Sequence, residues 1–392
     1  MEREQFGQEA LAIVRAQWGG EAEYSAADFS VGIDDGRVIY LGNIFRECAE
    51  VEPSERAASL AAFVSAMIFD DEVPADWRSV RPMLRSVLRP VTLGADLPGA
   101  LSRPAFPFVT ESVVIDRPRT RAFVHENHAR DWGVEPDEVF ATARENLATL
   151  ARPSSAEKLQ VTRFIDDGSS YAASWLLVPG WLAGHADGTH RPVVFIAEND
   201  SLLLVPDEPD LLAQTFEMIE QQYREAARPI SPQGYTVDAD GTVVPFDEVG
   251  EHPCRRLALR ARAGLALTEY SIQLNHLTKT FEEFLELPGL DIEPAYVAAV
   301  NYEESDHGAF TSVVWGEDVD YLLPEADVVH FLRRDNDDVE LVCTVPFPAV
   351  IEILGLVPVP GLSPTRFEVR GWPDPTAMAR LRVAAIDPRT AR

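Results

Sequence analysis

The sequence predicts an α+β fold: an α+β region over residues 1–250, then a smaller α+β domain with a mainly antiparallel sheet over 251–392. Three observations predict it. Short apolar runs come in pairs around Asp- and Gly-bearing turns, which is the pattern of hairpins. Other, longer segments repeat apolar residues at helical spacing. After Gly250 the succession of helix and strands begins again.

In chain order, residues 4–18 place Phe6, Ala10, Ile13, Val14 and Trp18 at helical spacing, and Gly19-Gly20 ends the helix. Residues 29–33 and 37–41 flank Asp34-Asp35-Gly36 as a hairpin. Helices are expected at 43–51, at 54–68 (entered through Pro53-Ser54) and at 75–89, the last interrupted near Pro82. Residues 90–107 hold Pro90, Pro98, Pro104 and Pro107 and read as a loop or linker, a subdivision point within the first region. Strands follow at 108–115 and 119–124, then a helix at 136–150 with Val139, Phe140, Ala143, Leu147 and Leu150 on one face. A strand at 159–165, a helix at 171–182, a hairpin from 192–197 to 201–205 and a long helix at 209–227 come next. The pairing of 235–237 with 242–246 closes the first region.

The second region opens with a largely helical stretch, 254–286, with a break expected near Gly264. Strands are expected at 295–302, 309–315, 327–332 and 338–344, a helix at 348–355, a strand at 366–370 and a helix at 374–383. No internal repeat and no low-complexity tract is visible.

The charge is far from neutral. The 64 acids and 34 bases give −30, and the excess is spread: 41 against 21 in residues 1–250, 23 against 13 in 251–392. The densest block is 303–340, with 12 acids against Arg333 and Arg334. Such a field repels phosphate backbones and anionic lipid surfaces, so neither nucleic acid nor a membrane surface is an expected partner, while a basic protein is. The best basic cluster, Arg255, Arg256, Arg260 and Arg262, suits one face of a short helix and reads as a solvated or internally paired face. Three well-separated cysteines, Cys48, Cys254 and Cys343, form neither a disulfide framework nor a zinc pattern and fit a reducing cytoplasm. The first residues lack a secretory layout, and no apolar run reaches the ~18 residues of a membrane span.

A family resemblance rests on the order of several segments: RPMLRSVLRPV, then a proline-rich loop and the Val-Thr of PFVTES; the helix ending ARENLATL; YAASWLL, with Tyr171, Ala173 and Leu176; the hairpin RPVVFIAENDSLLLV, turning at Asn199-Asp200; and the helix into RPISPQGYTVDADG. In this order residues ~1–250 resemble the YtpQ-like proteins, a bacterial domain of unknown function. The resemblance implies an α+β domain in a cytoplasmic setting. It supplies no catalytic residues and leaves 251–392 uncovered.

The motifs carry little chemistry. His125-Glu126-Asn127-His128, with Asp131, is the one cluster resembling a metal site, but its spacing is not that of the zinc-protease helix, and an incomplete ligand set favours a polar turn. His185 and His190 flank a turn-rich loop; His307 and His330 sit beside acids in the last sheet, where a His–carboxylate pair can serve acid–base work. The pairs Asp34-Asp35, Asp70-Asp71, Asp166-Asp167, Glu303-Glu304 and Asp337-Asp338 fit turn chemistry, since adjacent carboxylates on a strand point to opposite faces. DNDD at 335–338 lacks the central Gly and closing Glu of a calcium loop. Neither Ser169 nor Ser363 sits in a nucleophile elbow, and neither Lys158 nor Lys279 follows a phosphate loop. Trp315 and Trp372 suit either a partner contact or a core with one polar edge.

The expectation is an acidic cytoplasmic binding or accessory protein that acts through protein–protein contacts, without metal or cofactor. Its surface to test is 303–340. The alternative is a hydrolase-like enzyme with a dispersed site that joins His125 or His307 to carboxylates of shifted pKa. A purely structural role is the third possibility.

Overall fold

The computed structural model describes residues 2–26, 29–33, 38–49, 52–68, 73–96, 99–117, 121–153, 158–165, 171–199, 201–226, 228–284, 295–335 and 338–388. Two units emerge from its contacts: Met1–Met83 with Ile115–Ala122, and Leu84–Val114 with Phe123–Arg392. The fold is α+β, with mainly antiparallel sheets.

In the first unit, α1 (Arg3–Trp18) stops where Gly19 turns left-handed (φ 76°) and its N–H reaches the Arg15 carbonyl. A three-stranded sheet in the order β1 (Ala22–Ser25), β2 (Ser30–Ile33), β3 (Val38–Tyr40) follows. The sequence reading missed β1, whose four residues are short and half polar. The Asp34-Asp35-Gly36 turn lies outside the described residues. Helices α2 (Gly42–Ala49) and α3 (Pro53–Ile68) complete a core of Phe6, Val14, Val31, Leu41, Leu60 and Val64. The helix expected at 75–89 is only α4 (Trp77–Val80), capped by Asp76, whose carboxylate accepts from the Ser79 N–H.

The rest of that expected helix is a strand, β4 (Leu84–Pro90). Leu84, Val87 and Leu88 mimic helical spacing, but Ser86, Val87 and Leu88 are all buried, so both strand faces are covered. The described residues of the expected linker 90–107 form a 3-10 turn over Val91–Asp96, then β5 (Ser102–Phe106), which makes a hairpin with β6 (Val109–Asp116). Its prolines hold the positions open to proline: Pro90 ends β4, Pro104 lies on an edge strand, and Pro107 makes the turn. After β7 (Arg121–Phe123) come α5 (Glu126–Trp132) and α6 (Pro136–Ala148).

The centre of the second unit is a five-stranded sheet in the order β12 (Val243–Pro245), β11 (Pro229–Val237), β9 (Pro192–Glu198), β10 (Ser201–Pro206), β8 (Thr162–Ile165). The apolar runs of β9 and β10 are continuous because both faces are buried. Val194, Ile196, Leu202 and Leu204 face a core with Trp175, Leu88 and Tyr235. Val193, Phe195, Leu203 and Val205 face α7 (Pro209–Glu225) and the next helix. The helix expected at 171–182 is a 3-10 segment, Ala172–Leu177, all of whose residues are buried; Tyr171 enters it at φ 52°.

That next helix, α8 (Arg255–Phe284), is continuous through Gly264. Ala261, Ala263, Leu265 and Ala266 surround the glycine and favour helix, which offsets its cost of about 1 kcal/mol. Ala258, Ala261 and Leu265 of α8 join the core under the five-stranded sheet. Its Leu259 lies against Gly308 at the start of a second sheet, ordered β14 (Asn301–Ser305), β15 (Gly308–Gly316), β17 (Val328–Asp335), β18 (Asp338–Pro346). A third sheet orders β13 (Tyr296–Val297), β16 (Tyr321–Pro324), β19 (Arg366–Val369), of which β16 was not anticipated. Helices α9 (Phe347–Leu354) and α10 (Pro375–Val383) supply Phe347, Val350, Met378 and Leu381 to a core with Val329, Phe331 and Trp315. Among the described residues no helix is long and apolar enough to cross a membrane.

Candidate functional site

An open groove of about 890 Å³ lies in the second unit. The β5–β6 hairpin forms one side, α8 the floor, and the segments 325–327 and 361–365 the other side. Tyr270, one α8 turn from Ala266, is buried, and its hydroxyl ties two segments together: it donates to the Thr365 carbonyl at 2.7 Å and accepts from the Glu325 N–H at 3.0 Å. At the hairpin tip, Phe108 adopts φ 62° and sets its ring edge-on to Tyr270, 5.6 Å between centroids. A non-glycine residue in the left-handed region costs about 1–2 kcal/mol, so the tip is held under strain beside the groove.

The acidic wall is organised by Arg262. Its guanidinium donates to Asp247 Oδ2 at 3.2 Å and to Asp327 Oδ1 at 2.5 Å. The other Asp327 oxygen accepts from the Thr311 N–H and hydroxyl at 2.7 and 2.8 Å, which fixes the carboxylate. Burial pushes the Asp247 carboxyl above its ordinary value even with Arg262 beside it. Glu325, exposed and lining the groove, has no hydrogen-bond or ion-pair partner for its carboxylate among the described residues. Partial desolvation against the groove, then the neighbouring Asp327, pushes it upward too. Of these, Asp327, Glu325 and Arg262 line the groove, with Arg103 of β5 also in its lining; Arg262 is shared by Asp247 and Asp327, which leaves the Glu325 carboxylate unpaired on this wall.

Behind β5, Glu111 is fully buried and gathers Ser86 Oγ (2.7 Å), Arg103 Nε (2.7 Å) and Arg144 Nε and Nη2 (2.7 and 2.6 Å). Burial alone would raise this carboxyl; the bonds from Arg144, Ser86 and Arg103 outweigh it and hold it below the ordinary value. Arg103 also lies over the Phe140 ring, 4.0 Å from its centroid. The network therefore fastens β5 to α6 through Glu111 of β6.

The residues singled out in the sequence fall elsewhere. His125 caps α5, its backbone N–H donating to His128 Nδ1 at 3.2 Å, and His128 lies against Trp132. His185 is buried against Trp181, and burial lowers its basicity. His190 sits 3.8 Å from Asp187 and 3.6 Å from Glu208. His307 lies exposed in the β14–β15 turn. Both nitrogens of His330 are engaged across the second sheet, Nε2 with Glu303 at 2.9 Å and Nδ1 with Thr344 at 2.8 Å, while the buried Ser312 hydroxyl donates to the same Glu303 oxygen. Neither His125 nor His307 lines the groove. Among the described residues no three His, Cys, Asp or Glu side chains converge to hold a metal ion.

The pair Glu303-Glu304 divides as a strand requires, Glu303 to His330 and Glu304 to the Tyr302 hydroxyl. Asp34-Asp35, Asp70-Asp71, Asp166-Asp167, Asp337, Asp200 and Ser169 lie outside the described residues. Ser363 lines the groove. The arginine cluster is largely consumed internally: Arg260 pairs with Glu220 at 2.7 Å, Arg262 as above, and Arg256 reaches the Ser305 carbonyl. Trp315 is core, stacked on Phe331 with its N–H on the Gly371 carbonyl at 3.2 Å; Trp372 packs edge-on to Phe331. The block 303–340 does not form one surface. Glu317 pairs with Arg333 and Asp320 with Arg370 away from the groove. Asp306, Glu325, Asp338 and Glu340 keep carboxylates without partners among the described residues.

No family model matches the chain, and no curated protein and no solved structure matches it either. The likeness of residues ~1–250 to YtpQ-like proteins gains no support from these comparisons.

Proposed function

We propose that this chain is a non-enzymatic binding or accessory protein that acts through contacts with a basic protein partner, in a cytoplasmic setting and with a YtpQ-like first region. The observation that supports this best is the groove wall: an unpaired carboxylate, Glu325, beside an arginine already shared by two aspartates. A cation from a partner offsets the desolvation and the Asp327 repulsion that raise Glu325, and the charge of −30 steers such a partner inward.

The test is a tagged pull-down from the native host with mass spectrometry, washed at low and high salt. The expected result is a stoichiometric basic partner lost at high salt. A variant neutralised at Asp306, Glu325, Asp338 and Glu340 captures less of it, with a flatter salt dependence. Capture unchanged by the four substitutions, or no partner at either salt, overturns the proposal.

A further inference from the structure

The groove offers a strand edge as well as charge. In its sheet, β5 pairs only with β6 among the described residues, so one edge is free of strand partners. Every residue of β5 from Ser102 to Phe106 lines the groove. A strand that shows a cavity one of its faces contributes alternate residues; a strand that contributes each in turn presents its edge. A free edge is a template for another extended chain, since its N–H and C=O groups have no ladder partner. Pro104 removes one donor from this edge but leaves its carbonyl. The edge is rigid, because Arg103 and Arg144 clamp β5 to α6 through the buried Glu111.

Opposite the edge stand Glu325 and Asp327, and between them lie Ala263, Ala266 and Tyr270 of α8 and the strained Phe108. A lysine or arginine fits this cross-section: its methylene stem covers the apolar floor while its cationic head reaches the carboxylates. A volume of about 890 Å³ lies toward the upper end of the ~300–1,000 Å³ of small-molecule pockets, and its open form suits a chain that enters and leaves.

We propose that the groove binds an extended segment of the partner protein by strand addition to the free edge of β5, with one arginine or lysine of that segment anchored at Glu325. This rests on the reading of the chain as a protein-binding module. It adds the site, the mode of binding and the recognised side chain. Main-chain bonds to the edge supply affinity, and the carboxylates select the cationic residue.

The test uses the full chain and a fluorescent octapeptide of alternating valine and arginine, followed by polarisation, beside its valine–glutamate counterpart. The arginine peptide is expected to bind and the glutamate peptide not to. Glu325→Gln, at an exposed residue whose carboxylate holds nothing, folds normally and weakens binding about fivefold, the size of one partly screened ion pair. N-methylation of the peptide backbone, one position at a time, abolishes binding at alternate positions only, as a one-sided ladder demands. Three results overturn the inference: no binding of the arginine peptide, equal binding of the glutamate peptide, or tolerance of N-methylation everywhere. If the host pull-down still yields a salt-sensitive partner, those results reject this site and mode and leave the wider reading standing. If the pull-down also fails, both fall.

Discussion

Replacing Glu111 with glutamine tests the clamp that holds β5. The wild-type carboxylate, fully buried, accepts four hydrogen bonds: from Ser86, from Arg103 and two from Arg144. Glutamine keeps the shape, but one of its two polar ends becomes an N–H₂ group facing guanidinium donors. Removing one partner of a buried pair costs about 3–5 kcal/mol. Here both arginines are about one-third exposed and can turn toward water, which places the loss near the lower end, about 3 kcal/mol. The pH dependence has a definite sign. The folded carboxyl lies below its unfolded value of about 4.3, so its stabilisation is complete above that pH and fades as pH falls through the folded value. Urea unfolding of both proteins at pH 7 and at steps down to pH 3 measures the gap. A gap of about 3 kcal/mol at pH 7 that closes in acid is expected. A loss under about 1 kcal/mol, or a gap that ignores pH, refutes the reasoning.

Three further changes follow from the same physics. Glu269 is buried on α8 with, among the described residues, only Thr92 donating to it, and burial raises its carboxyl, so its charge is a liability that grows as pH rises from about 4.3 through the folded value. Glu269→Gln therefore gains about 1 kcal/mol at pH 8 and little at pH 4 in urea titrations, and an equal gain at both contradicts this. Gly308→Ala brings a Cβ to 2.9 Å from Leu259 Cδ1 at φ 134°, and a loss of about 1–3 kcal/mol by chemical unfolding is expected. Gly264→Ala meets nothing within 4 Å in the middle of α8 and raises stability by about 0.5–1 kcal/mol; a loss would show that the helix needs the glycine.

The elements that could be read from the sequence are those whose local pattern and tertiary role agree. α6, α7 and the β9–β10 hairpin declare themselves because amphipathic spacing or a paired apolar run is also what the core uses. β4 misleads because Leu84, Val87 and Leu88 satisfy a helical template, while the deciding fact, burial on both faces, is tertiary. β5 is hidden by Pro104, which an edge strand tolerates and a central one does not. The groove leaves no local signal, since its walls come from 102–110, 262–270, 325–327 and 361–365. The acidic block 303–340 was visible as a charge density, but sequence could not separate Glu325, which faces the groove unpaired, from Glu317 and Asp320, which pair with Arg333 and Arg370. The arginine cluster pointed to a charged helical face; only packing shows that Arg262 is the residue shared by Asp247 and Asp327.

The most direct test of the central claim is amide hydrogen exchange across β5, read by mass spectrometry on the full chain with and without the valine–arginine octapeptide at saturation. Strand addition slows exchange in the peptide fragment spanning 102–106 and leaves exchange in β9 unchanged. Saturating peptide with no protection at 102–106 would contradict it.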